Sequence, residues 1–344
     1  MKKIFSNIIA IKGLLVLASL LVLNSCTKDT DGSPQISAGD PVFAAISPGE
    51  APGGEVLTLT GSGLGDMRSI VFDKNSVPAA FISTLNTETA LVFRVPDTAF
   101  GGEQNIILTN SLGKTLTVPF KVIALPNIST AFPTDFAAGT TVTITGNNLD
   151  DVNSVVLDGT TDAATIVSQN RKELVITMPA TSVARAKLKI TNSSGDRLTD
   201  VDFVNVSAAL TVFSEQLDNG FQNWGWGGDF NASADDYITG AKSMKAAFDP
   251  NGTWGGMQLG GGSIDLPGYK YFSFWAKGAD VDKNVQFWLN WGNQKVITVP
   301  AGKWTYFRYE LAVDYPGVTN VNNVTFQIFD AGKTIYFDNI MFSK

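Results

Sequence analysis

The amphipathic aromatic residues of this chain are confined to its last third. All seven tryptophans and all seven tyrosines lie after residue 210, and the only aromatic residues before that point are phenylalanines. Many of the tryptophans stand among glycines and amides, in segments 224–229, 251–256 and 286–291. A flat indole can cover the apolar face of a sugar while neighbouring amides bond to its hydroxyls. The pattern indicates a sugar-binding surface; the open alternative is that the rings fill the core of a β-sandwich.

Alternation along the strand around Trp288 predicts which of its side chains face outward. Successive strand residues point to opposite faces, so Gln286, Trp288 and Asn290 share one face. The other face is apolar throughout and ends in Trp291, which we expect in the core. A tryptophan between two amides suits a sugar platform, so Trp288 is the first candidate contact. Alternation in a later strand places Gln327 on the outward face as well.

The remaining tryptophans divide by their local sequence. Trp224, Trp226 and Trp254 lie on glycine-rich loops or strand ends, where glycine permits close approach to a ligand but also simply makes turns. These three are further candidate contacts with a carbohydrate. Trp275 follows a hydrophobic strand core and Trp304 begins a strand, so we expect both to be structural.

The elements that must position these rings read as one antiparallel β-sandwich over residues 210–344. Alternating segments separated by Gly, Asn and Pro turns occupy residues 271–276, 284–291, 304–311, 324–329 and 334–340. The order of signals resembles carbohydrate-binding modules of jelly-roll fold. The resemblance rests on an acidic-aromatic opening at 215–226, Gly-Ala-Lys-Ser-Met-Lys at 240–245, Tyr-Lys-Tyr-Phe-Ser-Phe-Trp at 269–275 and Tyr-Phe-Asp-Asn-Ile at 336–340.

Residues 42–124 and 125–208 are two copies of one unit. Leu-Thr-Leu-Thr-Gly-Ser-Gly-Leu at 57–64 is echoed 85 positions later by Val-Thr-Ile-Thr-Gly-Asn-Asn-Leu at 142–149. Short alternating strands with Gly, Pro and Asn turns predict a small sandwich for each copy. The motifs resemble the immunoglobulin-like IPT/TIG family, which implies a fold and little about function.

The chain as a whole is therefore predicted to be all-β, with two immunoglobulin-like (IPT/TIG) β-sandwiches in tandem followed by a jelly-roll β-sandwich. Both repeats lack tryptophan and tyrosine, and the joints at 124–126 and 205–209 are short. We expect the repeats to act as spacers in a semi-rigid rod, with binding confined to residues 210–344. The alternative is that one repeat also binds a ligand.

Residues 1–25 read as a signal peptide. Lysines precede an apolar run at 14–23 that is too short to span a bilayer, and the segment ends in Leu-Asn-Ser before Cys26. This ending resembles a bacterial lipobox, which implies that Cys26, the only cysteine, is lipidated and anchors the chain in outer-membrane lipid. The alternative is a chance cysteine after a secretory peptide.

The residues after Cys26 indicate where the protein is displayed. Thr-Lys-Asp-Thr-Asp at 27–31 resembles the tag that directs Bacteroidota lipoproteins to the outside of the outer membrane. The Thr, Asp, Gly, Ser and Pro composition of residues 26–41 predicts a flexible stalk.

The composition excludes several classes of chemistry. With no histidine and one cysteine, Ser-His-Asp and Cys-His catalysis and His- or thiolate-ligated metal sites are excluded. Removing residues 1–25, which hold three lysines and no acid, changes the formal charge from −7 to −10 and argues against a nucleic-acid partner. The last domain has two glutamates, Glu215 and Glu310, and no acid pair at a recognisable catalytic spacing. We therefore expect no enzymatic activity.

No cofactor is expected apart from one hypothetical ion. Glu215, Asp218 and Asp338 lie on the opening and closing segments of the last domain, which are neighbours in many sandwiches. Carboxylate oxygens suit calcium, so these three residues are a candidate structural Ca²⁺ site.

The lipobox, the two repeats and the aromatic C-terminal module together resemble the surface glycan-binding proteins of Bacteroidota polysaccharide-utilisation systems. The resemblance is closest to those with a C-terminal xyloglucan- or β-glucan-binding domain. It implies a non-catalytic lipoprotein on the cell exterior that captures a neutral β-glucan or xyloglucan and works beside a glycan-import complex. A structural or adhesive surface protein and a carboxylate-based glycoside hydrolase remain the alternatives.

Overall fold

The computed structural model describes residues 36–252, 254–330 and 332–344, and it confirms an all-β chain. Helix in these residues is limited to α1 (Leu311–Asp314) and three 3₁₀ turns, Lys74–Ser76, Ser83–Leu85 and Val206–Ala208. None of these helices is long and apolar enough to cross a membrane. Cys26 and the tag that follows it fall outside the described residues. The described residues divide into two compact units, residues 36–99 with 103–121, and residues 100–102 with 122–344.

The first repeat is a two-sheet sandwich. Its strands are β1 (Val42–Ser47), β2 (Glu50–Pro52), β3 (Val56–Ser62), β4 (Met67–Phe72), β5 (Val77–Pro78), β6 (Ala90–Arg94), β7 (Gly102–Asn110) and β8 (Thr115–Ile123). The sheets are ordered β1–β3–β6 and β2–β8–β7–β4–β5. Alternate residues of the repeated motif, such as Leu57 and Leu59, are fully buried, so the period-two pattern sets the core face.

The second repeat has the same pattern of buried residues. Its strands are β9 (Asn127–Phe132), β10 (Asp135–Phe136), β11 (Thr141–Asn147), β12 (Ser154–Leu157), β13 (Thr165–Gln169), β14 (Glu173–Thr177), β15 (Arg185–Ala186), β16 (Leu188–Asn192), β17 (Gly195–Leu198) and β18 (Phe203–Asn205). They form sheets ordered β13–β14–β11–β9, β12–β16–β17 and β10–β18–β15. Val142 and Ile144, the counterparts of the buried leucines in the first repeat, are fully buried.

The C-terminal domain is a sandwich of two larger sheets. Its strands are β19 (Leu210–Phe213), β20 (Gln222–Asn223), β21 (Gly228–Ser233), β22 (Ser243–Phe248), β23 (Gly255–Asp265), β24 (Tyr271–Gly278), β25 (Lys283–Leu289), β26 (Gly292–Val299), β27 (Thr305–Glu310), β28 (Asn320–Ile328) and β29 (Thr334–Ser343). Sheet I is ordered β21–β22–β29–β24–β27, with β19 also paired to β29, and sheet II is ordered β20–β23–β28–β25–β26. Phenylalanines from both sheets meet between them: the Phe326 ring lies 4.9 Å from that of Phe274 and 4.5 Å from that of Phe337.

The outer face of sheet I packs against the second repeat through Trp275. This side chain is 4% exposed, its ring meets that of Phe132 at 5.5 Å, and its indole N–H donates to the Asp135 carboxylate at 2.9 Å. Arg185 of the second repeat lies over the Tyr271 ring, 4.5 Å from its centroid. Trp275 is structural, as predicted, but the second repeat is more than a spacer because it covers part of the C-terminal domain.

Trp304 also serves the fold. Its ring is partly buried, and its indole N–H donates to Asp236 at 3.0 Å. The hydrogen bond ties the start of β27 to the segment between β21 and β22. The structural role predicted for Trp304 agrees with this geometry.

Candidate functional site

The outward face of sheet II carries amides and hydroxyls at its centre. Gln286 of β25 pairs with Gln327 of β28. Two residues further along β25, Trp288 pairs with Thr325, and Thr325 pairs on its other side with Gln258 of β23. The residues between them along each strand fill the core. The structure therefore places Gln286, Trp288 and Gln327 on the outward face, as alternation predicts.

Trp224 and Trp226 reach the same face from the segment that follows β20. The Trp224 main-chain N–H donates to the Gln258 carbonyl at 2.8 Å, and Trp226 and Gly256 exchange two main-chain hydrogen bonds of 2.9 Å. These bonds hold the segment alongside β23. Both indoles then lie over glycines of that strand, Trp226 over Gly256 and Trp224 over Gly260.

Trp291 lies in a hairpin turn, and its predicted place in the core is wrong. Leu289 pairs with Gly292, so Asn290 and Trp291 form a two-residue connection between β25 and β26. Both residues have positive φ, 51° and 60°, which is the conformation of a type I′ hairpin turn. The turn breaks the two-residue period, so the Trp291 ring is 49% exposed and packs on Trp288.

Four indoles form a continuous series of ring contacts. Trp254 meets Trp226 edge to face at 5.7 Å between ring centroids, Trp226 stacks on Trp291 at 6.1 Å, and Trp291 packs on Trp288 at 5.4 Å. Trp254 and Trp224 are 54% and 51% exposed. We call these five rings, Trp224, Trp226, Trp254, Trp288 and Trp291, the tryptophan surface. An exposed apolar patch rimmed by polar groups is typical of a binding site.

Polar groups lie on the same sheet face as the tryptophan surface and are largely buried. Thr325 is fully buried and donates to the Asn323 side chain at 2.7 Å, and Gln327 is nearly buried. The indole N–H of Trp226 is buried and has no hydrogen-bond partner. An unpaired buried donor costs about 1–3 kcal/mol, so a ligand oxygen that accepts from it would stabilise the complex.

Two of the predicted amide contacts are engaged within the protein. The Asn290 amide donates to the Asn320 carbonyl at 2.7 Å and accepts from the Asn322 N–H at 3.0 Å, so this side chain braces the turn that carries Trp291. The Gln294 side chain donates to the Gln286 carbonyl oxygen and orients that amide. Gln286 therefore remains a candidate contact, whereas the geometry gives Asn290 a positioning role.

The three carboxylates predicted to bind calcium accept hydrogen bonds from the protein. Asp338 accepts from three main-chain N–H groups at 2.8–3.5 Å. Both oxygens of Glu215 accept from the Ala241 N–H, and Asp218 accepts from two hydroxyls at 2.7 and 2.9 Å. Across residues 36–252, 254–330 and 332–344, no three acidic side chains form a group that could hold a metal ion. These residues do not fit the ion well, and calcium stays a hypothesis.

Asp338 of the C-terminal domain has a raised pKa, as a general acid needs, but it lies too far from the tryptophan surface to act on a ligand there. Burial, together with a smaller contribution from the Glu215 charge, raises the pKa of Asp338 to about 7, although three main-chain hydrogen bonds oppose the shift. Asp338 is fully buried on sheet I, whereas the tryptophan surface covers the outer face of sheet II. A glycosidic oxygen bound on the rings could not reach it.

Sequence reasoning missed Trp291, Gln258 and Gln294 as members of this face. A signal for Trp291 was present, because Asn290 and Gly292 flank it and both residue types favour tight turns. Strand ends are hard to place from alternation alone, because the alternation of apolar and polar residues in the sequence can continue beyond the last residue that pairs in the sheet.

Comparisons with known proteins agree with this architecture. Residues 41–122 and 126–204 each match the IPT/TIG domain. No curated protein matches the sequence. Among solved structures, the surface glycan-binding protein PbSGBP-B from Prevotella bryantii is 14% identical with a TM-score of 0.54, over 90% of this chain and 99% of that one.

Two further solved structures are similar in outline. SGBP-B from a complex xyloglucan utilization locus in Bacteroides uniformis is 18% identical with a TM-score of 0.47, over 89% of this chain and 100% of that one. SGBP-B of the Bacteroides ovatus mixed-linkage glucan utilization locus, in complex with a mixed-linkage heptasaccharide, is 16% identical with a TM-score of 0.34, over 90% and 76%.

Proposed function

We propose that this chain, whose first two domains are IPT/TIG domains, is a non-catalytic glycan-binding protein that captures a polysaccharide on its C-terminal domain. The observation that carries the proposal is the tryptophan surface: five indoles brought from three separate segments to one outer sheet face, with amides between and beneath them. Indoles stack on the apolar face of a pyranose, and amides bond to its hydroxyls.

The ligand is a neutral glycan. The central outward positions of the four main strands of sheet II are 256, 258 and 260, 323, 325 and 327, 284, 286 and 288, and 294, 296 and 298. They are occupied by Gly, Asn, Gln, Thr, Trp and Val. Towards its end β23 also directs Ser263 and Asp265 outward, so these strands present one negative charge and no positive charge on this face. An acidic or sulfated polysaccharide would find no cation there to offset the desolvation of its own charges. A β-glucan or a xyloglucan suits such a face.

The comparisons support glycan binding. The Prevotella bryantii protein that shares the fold is a surface glycan-binding protein, and its match covers nearly all of both chains. Catalysis is not part of the proposal, because the outward positions of β23, β25, β26 and β28 carry one carboxylate, Asp265, and a glycosidase needs a pair of them.

The protein is held at the cell exterior in this proposal. Cys26 carries the lipid that inserts in the outer membrane, residues 27–31 direct the chain to the outer leaflet, and the captured glycan passes to an import complex. Stable anchoring requires more than one acyl chain. A Cys26→Ala variant is expected to leave the cell surface, and external protease is expected to remove the native chain from intact cells; native protein that resists the protease would contradict surface display.

Direct binding measurements test the function. With residues 27–344 in affinity gels and calorimetry, xyloglucan or mixed-linkage β-glucan is expected to bind, and an anionic pectin is not. Trp226→Ala and Trp288→Ala are each expected to cost about 2 kcal/mol or more, which is roughly a thirtyfold loss of affinity.

The matched control is Tyr237→Ala, an exposed aromatic residue of the same domain outside the tryptophan surface. Its binding should equal that of the unmodified chain. If neither glycan binds, or if the pectin binds better, the proposed ligand class is wrong.

A further inference from the structure

Two glycines of β23 lie directly beneath rings of the tryptophan surface. A Cβ atom at Gly256 would lie 2.4 Å from Cη2 and Cζ2 of Trp226, and a Cβ atom at Gly260 would lie 2.4 Å from Cε3 of Trp224. Favourable carbon–carbon contacts have separations of about 3.5–4.0 Å. A side chain at either position must therefore push the ring above it away from the sheet.

The main chain does not itself require glycine at these positions. Neither Gly256 nor Gly260 has the left-handed φ found at the next residue, Gly261, which is +84°. Gly256 pairs with Gln327 and Gly260 with Asn323 in the antiparallel ladder. The extended main-chain conformation of such a ladder is open to any residue type. Glycine weakens a strand interior because it brings no side chain to pack. What glycine supplies here is the space that the indoles occupy.

We call Gly256 and Gly260 the seats of Trp226 and Trp224, and the two seats lie four positions apart on β23. Met257 and Leu259 are fully buried in the core, so positions 256, 258 and 260 share the outward face. Four residues of a strand span about 13 Å. Trp226 and Trp224 thus rest on β23 at two separate points, with the Gln258 side chain on the same face between them.

We propose that Gly256 and Gly260 are positioning residues for glycan binding: they let Trp226 and Trp224 lie directly against sheet II and so set the height and tilt at which these rings meet the ligand. The inference rests on the proposed function. A methyl group at position 256 would lift Trp226 and disturb its contacts with Trp254 and Trp291. The methyl group would act through the ring, because Gly256 is buried and the Trp226 ring lies directly over it.

A double-mutant cycle tests the seat at position 256, with xyloglucan as the probe and residues 27–344 as the protein. Gly256→Ala alone is expected to lower affinity about tenfold, equivalent to 1.4 kcal/mol. In a Trp226→Phe background the added methyl group is expected to change affinity by less than about twofold, because the shorter phenyl ring leaves room for it. Gly49→Ala is the matched control, because a Cβ atom there would have no neighbour within 4 Å.

The outcomes are distinct. Unchanged affinity of Gly256→Ala overturns the proposal, and so does an equal loss in both backgrounds, since the methyl group would then act without the indole. Should Gly256→Ala fail to unfold cooperatively, Gly260→Ala decides the matter, because the half-exposed Trp224 ring can swing away. If Gly260→Ala lowers affinity in the unmodified chain but not in a Trp224→Phe background, the proposal is supported. If Gly260→Ala binds with unchanged affinity, the proposal is overturned.

A spectroscopic measurement separates this inference from the proposed function. Closely packed indoles give a coupled circular-dichroism signal, which a displaced Trp226 would weaken. If the unmodified chain binds neither xyloglucan nor mixed-linkage β-glucan, the proposed function fails. The seat then stands if Gly256→Ala alters this signal while Gly49→Ala does not, and falls if both spectra match that of the unmodified chain.

Discussion

The two outer faces of the C-terminal sandwich both carry tryptophan but use it in opposite ways. On sheet I, Trp275 is covered: Phe132 and Asp135 of the second repeat meet its ring and its N–H. On sheet II, four of the five rings of the tryptophan surface pack on one another, and three of the five are about half exposed. One face is closed by a neighbouring domain, and the other stays open to solvent.

The difference shows that the surroundings of the indole, and not the residue type, set Trp275 apart from Trp226. The Trp275 N–H has a carboxylate acceptor within the protein. The Trp226 N–H is buried without an acceptor, although its ring is well packed. The Trp275 ring is fully satisfied and adds to stability, whereas under the proposed function the unpaired donor of Trp226 would bond to a ligand oxygen.

The largest expected effect is on the covered face. Trp275→Ala removes a buried ring and deprives the buried Asp135 of its donor, so the free energy of unfolding should fall by about 3–5 kcal/mol. Urea unfolding of residues 27–344 measures this loss. Trp254→Ala on the open face is the comparison, and it should change the unfolding free energy by well under half as much. Equal losses at the two sites would abolish the contrast between the faces.

The second-largest expected effect is a change of the unfolding free energy with pH, and it arises at Asp135 on the covered face. Burial raises the pKa of Asp135 to about 7, although Trp275 and Arg185 oppose the shift. The folded state therefore holds a proton between pH 3.8 and 7 that the unfolded state has lost, so stability falls as pH rises through this window. The fall should be about 2 kcal/mol between pH 5 and pH 7 for such a group. Asp135→Asn should flatten part of the slope, leaving the part due to Asp338, and glycan affinity over the same range should stay constant.

A smaller effect is expected from removing both repeats, of which the second covers Trp275. Residues 210–344 alone would expose part of Trp275, at a cost of about 1–2 kcal/mol in unfolding free energy. Because the tryptophan surface belongs wholly to the C-terminal domain, xyloglucan affinity of the folded fragment should match that of the full mature chain. A tenfold loss of affinity would show that a repeat contacts the glycan, contrary to the spacer hypothesis for binding.

Local periodicity was sufficient to predict antiparallel β-sandwiches, whereas the immunoglobulin-like and jelly-roll types came from the resemblance to known families. Leu57, Leu59, Val142 and Ile144 alternate with polar residues, and that pattern alone assigns the core faces of the two repeats. The same reasoning placed Trp288 and Gln286 outward. It failed at Trp291, because a hairpin turn ends the period and the sequence signal for the turn is only two residues long.

The partners of buried groups were beyond sequence reasoning for a different reason. Asp135 and Trp275 are 140 positions apart, and nothing in either local pattern indicates that they meet. The seats at Gly256 and Gly260 likewise depend on which segment lies over β23. Glycine in a strand indicates a close approach, but the approaching group is set by tertiary structure.

The smallest expected effect is that of a chelator, and it tests how the covered side of the sandwich is stabilised. Glu215 and Asp338 already accept main-chain N–H groups, so part of their acceptor capacity is used without an ion. We therefore expect EDTA to leave the melting temperature of residues 27–344 unchanged, as measured by calorimetry. A drop that added CaCl₂ restores, and that Glu215→Gln abolishes, would show that an ion replaces some of these hydrogen bonds. In that case the covered side would be stabilised by a metal as well as by the second repeat, while the open side would keep its tryptophan surface unchanged.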